Sequence, residues 1–198
     1  MGLLERKRPV AFAGENPMIT LYRPGTEEAI AGVSAWRCTY SAHGAGFALA
    51  LWCDPVAVGL PDLPATAVFA ANAAMAEMVM TRFNQYQDGY QDRGVADIVP
   101  EPARFGQQFD GQRLHRITCV AHAVSIEVEW SDMLDAALSH FDVQSGPERF
   151  DITTVICPCG DGAIIVNGTR LRGEVRVPDD PMAGSAFLAF SETWVVIE

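Results

Sequence analysis

The sequence predicts a mainly β (or α+β) protein, an antiparallel meander curling into a barrel or half-barrel with one long apolar helix packed against it. Three observations carry that expectation. Asp110-Gly111, Asp161-Gly162 and Asn167-Gly168 each provide the dipeptide that takes up positive φ in a tight hairpin turn. Residues 124–130 and 170–177 alternate apolar and polar side chains, as strands with one wet face do. The spacing between these signals leaves no room for the helical periods of βαβ units.

Taken in order, residues 1–14 read as a flexible N-terminal segment and 15–198 as one domain. The first expected strands are Met18–Arg23, Val33–Tyr40 and Ala45–Cys53, the last two joined through Ser41-Ala42-His43-Gly44. A helix is expected from Asn72 to Tyr86, with Asn72 as its N-cap. Met75, Met78, Val79, Phe83 and Tyr86 fall near one helical face, and alanines make the first half apolar nearly all round. Val124, Ile126, Val128 and Trp130 alternate with Ser125, Glu127 and Glu129. A shorter helix is expected over Ser131–Phe141, capped by Ser131, before a strand at Phe150–Ile156. Leu171, Gly173, Val175 and Val177 alternate with Arg170, Arg172, Glu174 and Arg176, which places the arginines on the solvent face of a strand. Ser185–Ile197 completes about nine strands.

Composition removes several function classes. The 198-residue chain is 49% apolar with a formal charge of −11, which fits a folded acidic domain and offers no clustered positive field for nucleic acid. Lys7 is the sole lysine beside thirteen arginines, and it lies near the N-terminal end. Schiff-base and phosphate-loop mechanisms are thereby effectively excluded. No apolar run approaches the roughly 18–20 residues that span a bilayer, and residues 1–14 lack the apolar stretch of a secretory signal. Five cysteines, an odd number, fit reduced thiols in a cytoplasm. No cofactor is implied.

The chemistry-bearing candidates are few. In a regular C-terminal strand, Leu188, Phe190, Glu192, Trp194 and Val196 share one face. Glu192 is then a carboxylate among aromatic residues, surroundings that raise its pKa and suit it to acid–base work, unless it pairs with an arginine or faces solvent. His115, His122 and Asp132 are the other candidate acid–base groups. Trp36, Trp52, Phe190 and Trp194 are candidate walls of an apolar cavity, although core tryptophans need no ligand. Cys157-Pro158-Cys159 offers two thiols on one side of a strand, but no second pair gives a standard metal spacing. The expectation there is a pair of buried thiols without metal. His43 and His140 sit near loops and read as solvated.

Ile126–Met133 (Ile-Glu-Val-Glu-Trp-Ser-Asp-Met) locally resembles the strand-to-active-site segment of hot-dog thioesterases, where a Trp-x-Asp run precedes a long central helix. The resemblance spans eight residues and implies such a helix after Asp132, whereas the long helical pattern here lies earlier. Three readings follow. The first is a cytoplasmic β-barrel module holding a small hydrophobic molecule. The second is a hot-dog-type thioesterase or other acid–base hydrolase or lyase. The third is a structural homo-oligomer joined through unpaired strands such as Phe187–Val195.

Overall fold

The computed structural model of the protein describes residues 8–111, 113–178, 180 and 183–197. Lys7 lies outside them. Thirteen strands form one sheet. They are β1 (Val10–Glu15), β2 (Met18–Tyr22), β3 (Ala29–Ser41), β4 (Gly46–Cys53), β5 (Thr66–Ala70), β6 (Glu101–Pro102) and β7 (Arg104–Phe109). The remainder are β8 (Leu114–Val120), β9 (Ser125–Met133), β10 (Ala137–Ser145), β11 (Glu148–Val166), β12 (Thr169–Arg170) and β13 (Ala186–Val196). A helix, α1 (Ala73–Arg82), and two short 3₁₀ turns separate β5 from β6.

The strand order is β6-β5-β4-β3-β1-β13-β11-β9-β8-β7, with β2 continuing β1 between β3 and β13. Every pairing is antiparallel except β5 with β6, so the sheet is mixed. Two layers arise because β11 is long enough to serve both. Its first half lies between β10 and β13, and its second half pairs with β9 from Cys159↔Met133 onward. The transfer falls between Pro158 and Cys159, just ahead of Gly160, where an added Cβ would lie 2.2 Å from Asp132 Oδ2. Ile19, Val33, Leu49, Val128, Trp130 and Leu188 are fully buried between the layers. The other face of the first layer is covered by α1 and the segment after it, burying Phe12, Trp36, Met75, Val79, Phe83 and Phe150.

At the far side the curl ends on β6 and β7, which only Ala103 separates. Phe47 of β4 stacks on Phe105 of β7 with centroids 5.3 Å apart, holding the layers together there. No ladder joins β6 to β7 among the described residues, so the expected barrel is instead a curled, open sheet.

Several local expectations change for identifiable reasons. Residues 10–14, expected in a flexible segment, belong to β1, where Phe12 is fully buried. The helix starts as expected, with Asn72 Oδ1 accepting from Met75 N, but ends at Arg82 rather than Tyr86. Phe83 leaves helical geometry (φ −124, ψ −63), and its ring packs against Trp36, Phe150 and Trp194. The helix is therefore short. Ser131–Phe141 is not helical: it supplies the end of β9 and the start of β10, whose nine-residue ladder with β11 overrides local propensity. Asn167-Gly168 does form a hairpin turn with both φ values positive. Asp161-Gly162 instead lies inside β11, where Gly162 admits Ile19 Cδ1 to within 2.6 Å of the position a Cβ would take.

Residues 170–177 likewise do not form one strand. After β12 the chain crosses to the first layer, with Arg172 N bonding to Val58 O and Glu174 bridging Tyr22. Arg176 stacks over the Tyr22 ring at 3.7 Å and pairs with Glu27. Finally, β13 is paired on both sides, so Phe187–Val195 offers no open edge.

Candidate functional site

An apolar cleft of about 480 Å³ opens at one end of the inter-layer space. Its floor comes from inward residues of both layers: Leu51 of β4, Phe69 of β5, Ile126 of β9 and Val166 of β11. Each belongs to the inter-layer core, so the cleft is a place where that core reaches the surface without being filled. A loop over 54–65 forms its wall. Asp54 Oδ1 accepts from Val56 N and Ala57 N, turning the chain, and Pro61 and Pro64 restrict the return so that Leu60 and Leu63 face the opening. The polar lining is confined to Asp62, Glu101, Asn167 and Thr169. Asn167 is occupied as an acceptor for Ser125 N at 2.8 Å, whereas Asp62 and Glu101 have no hydrogen-bonded or ion-paired partner among the described residues.

The candidate aromatic walls lie elsewhere, and on two different faces. Trp36 and Trp52 are buried beneath α1, with Trp36 Nε1 donating to Asn84 Oδ1 at 2.9 Å and the Arg93 guanidinium 3.8 Å above the Trp52 ring. Trp194 joins them, 6.1 Å from Trp36 and 4.3 Å from Phe83. Phe190 points the other way, into the inter-layer space. The cause is a bulge: Ser191 has φ 52, and the β11–β13 register slips between Thr153 and Val155. One extra residue flips the face, so Leu188 and Phe190 do not share a side with Glu192 and Trp194.

Glu192 is 5% exposed and sits opposite Gly14 in the β1–β13 ladder. Trp194 Nε1 donates to its Oε1 at 2.6 Å. Burial raises its pKa to about 7, against the lowering effect of the hydrogen bonds from Trp194 and Thr154.

His115 is fully buried on the inter-layer face, boxed by the rings of Phe109, Trp130 and Phe190. Its Nε2 lies 3.3 Å from Gln107 Nε2, which also donates to Glu15 Oε2 at 2.7 Å, and Arg37 holds the other Glu15 oxygen. Desolvation lowers the imidazole pKa to about 4, leaving it neutral, and Nδ1 has no partner among the described residues.

The other two candidates do not join this group. Asp132 is exposed in a positive-φ kink (φ 53) and faces Gly160, while His122 is exposed in the turn after β8, about 20 Å along the strand from His115. The four acid–base candidates thus occupy separate surroundings. β10, not a long helix, follows Asp132, so the hot-dog pattern is not reproduced.

Cys157 and Cys159 both enter the inter-layer core as free thiols, with burial pushing Cys159 to about 12. Among the described residues, no three His, Cys, Asp or Glu side chains are grouped to hold a metal ion. Nor is any helix among them long and apolar enough to cross a membrane.

Sequence reasoning missed the cleft. Its one local signal was the Pro61-Asp62-Leu63-Pro64 run, a rigid loop carrying apolar side chains between two strands. Comparison with known proteins adds no identity: no family model matches the chain, and no curated protein or solved structure is significantly similar to it.

Proposed function

We propose that the protein is a binding module for a small hydrophobic molecule, held between the layers of its half-barrel-like sheet at the Leu51–Phe69–Ile126–Val166 cleft. The observation that carries this reading is the cleft itself: about 480 Å³, apolar in its floor and polar only at a few points. Small-molecule sites have this size and this division of chemistry. The five buried, unbonded cysteines support action in a reducing cytoplasm.

A fluorescence titration with N-phenyl-1-naphthylamine tests the proposal. Saturable binding is expected, competed by short-chain alcohols, and lost in Val124→Trp, which fills the cleft from its rim. Trp36→Phe, on the helix-covered face, is expected to bind the probe like the parent protein. Equal binding by Val124→Trp, with its melting temperature preserved, would overturn the assignment.

A further inference from the structure

The polar chemistry of the cleft is one-sided. Asp62 and Glu101 are its only charged lining residues, and both are acidic. Arginines neutralise several carboxylates elsewhere among the described residues, but no arginine is paired with these two. Arg37 holds Glu15, Arg82 holds Glu148, Arg116 holds Glu129, and Arg149 holds Asp142. Arg23 and Arg176 pair with Glu28 and Glu27. At the cleft, two carboxylates border apolar walls with no cation supplied by the described residues.

Glu101 is held in place by the parallel pairing of β6 with Phe69, a floor residue, so this carboxylate is attached directly to the cleft wall. Asp62 stands between Pro61 and Leu63 on the covering loop. Low-dielectric walls strengthen the field of the half-buried Glu101 compared with open surface, and the exposed Asp62 adds charge of the same sign. An anionic head group would meet repulsion, a neutral one would leave the carboxylates hydrated, and a compact ammonium would supply both charge and donors.

Resting on the proposal that this cleft binds a small hydrophobic molecule, we infer that its ligand class is a lipophilic amine: an apolar body lying along Leu51, Phe69, Ile126 and Val166, with a protonated amine at Asp62 and Glu101. The two acids set which head group is accepted, and the apolar walls provide most of the affinity.

Isothermal titration calorimetry with n-octylamine, 1-octanol and octanoate at pH 7 and low salt separates these elements. The parent protein is expected to bind octylamine about tenfold more tightly than octanol, and octanoate more weakly than either. The amine-to-alcohol ratio should shrink on adding salt. In the double variant Asp62→Asn, Glu101→Gln it should fall to near one. Equal affinity for all three probes, or an amine preference that survives in the folded double variant, would overturn the amine assignment while leaving the cleft a hydrophobic site. Failure of every probe to bind, octanol included, would overturn the binding-module reading and this inference with it.

Discussion

Glu192 and His115 are both buried, and they make opposite demands on pH. The Glu192 pKa rises from an ordinary 4.5 to about 7, so its stabilising contribution is complete below pH 4.5 and is lost as pH climbs through 7. The His115 pKa falls from 6.5 to about 4, so its contribution is complete above pH 6.5 and is lost as pH falls through 4. Each shift corresponds to about 3 kcal/mol, and across pH 4.5–6.5 the two largely cancel. Single variants should unmask them. Glu192→Gln, which keeps an acceptor for Trp194 Nε1, is expected to stabilise the protein by about 2–3 kcal/mol at pH 8 and by little at pH 4. His115→Phe is expected to leave a fold whose stability declines as pH rises from 4.5 to 7. Urea denaturation at a series of pH values measures both, and parallel profiles for parent and variants would refute the assignment. Gly14→Ala gives a steric test: its Cβ would stand 2.0 Å from Arg37 O, a backbone atom, so a loss of about 3 kcal/mol or failure to fold is expected.

Among the elements, α1 depends on one residue for its start and on packing for its end. Asn72 accepts from Met75 N and also donates Nδ2 to His43 O and Ala45 O, tying the helix to the β3–β4 turn. Asn72→Ala removes the cap and both anchors, and thermal melts are expected to show a loss of about 2 kcal/mol. The N-terminal boundary was legible because an Asn ahead of an apolar-periodic run has a local cause. The C-terminal boundary was not, because Phe83 turns out of the helix toward Trp36 and Trp194, contacts made across the fold. The same distinction runs through the strands. Residues 125–130 follow their alternation residue by residue. Residues 137–145 become β10 only because β11 is present to pair with them.

For the whole molecule, the sheet is stable as two apolar layers closed by a helix, and every cysteine lies within that packing. All five are buried and unbonded, and Cys53 and Cys119 are raised to about 11 and 12 by desolvation. The native protein is therefore expected to react negligibly with a thiol-specific colorimetric reagent, with all five thiols titrating once urea unfolds it. Immediate reaction of any thiol before unfolding would show that the layers open locally. The net charge of −11 resides on the carboxylates that exceed the arginines, and at the cleft two of them, Asp62 and Glu101, border an apolar wall.

The sequence by itself determined the class of structure: mainly antiparallel strands, an Asn-capped helix after the first strands, and an inventory too poor in lysine for amine catalysis. Those features depend on neighbours a few residues apart, through side-chain alternation, helical spacing and turn chemistry. Only the tertiary structure decided which face each strand residue uses, since the Ser191 bulge reversed the side shared by Phe190 and Glu192. Likewise the cleft exists because Leu51, Phe69, Ile126 and Val166, far apart in the chain, meet where the two layers diverge. Periodicity fixes parity within one regular strand, but neither an inserted residue nor the meeting of distant strands has any local period to announce it.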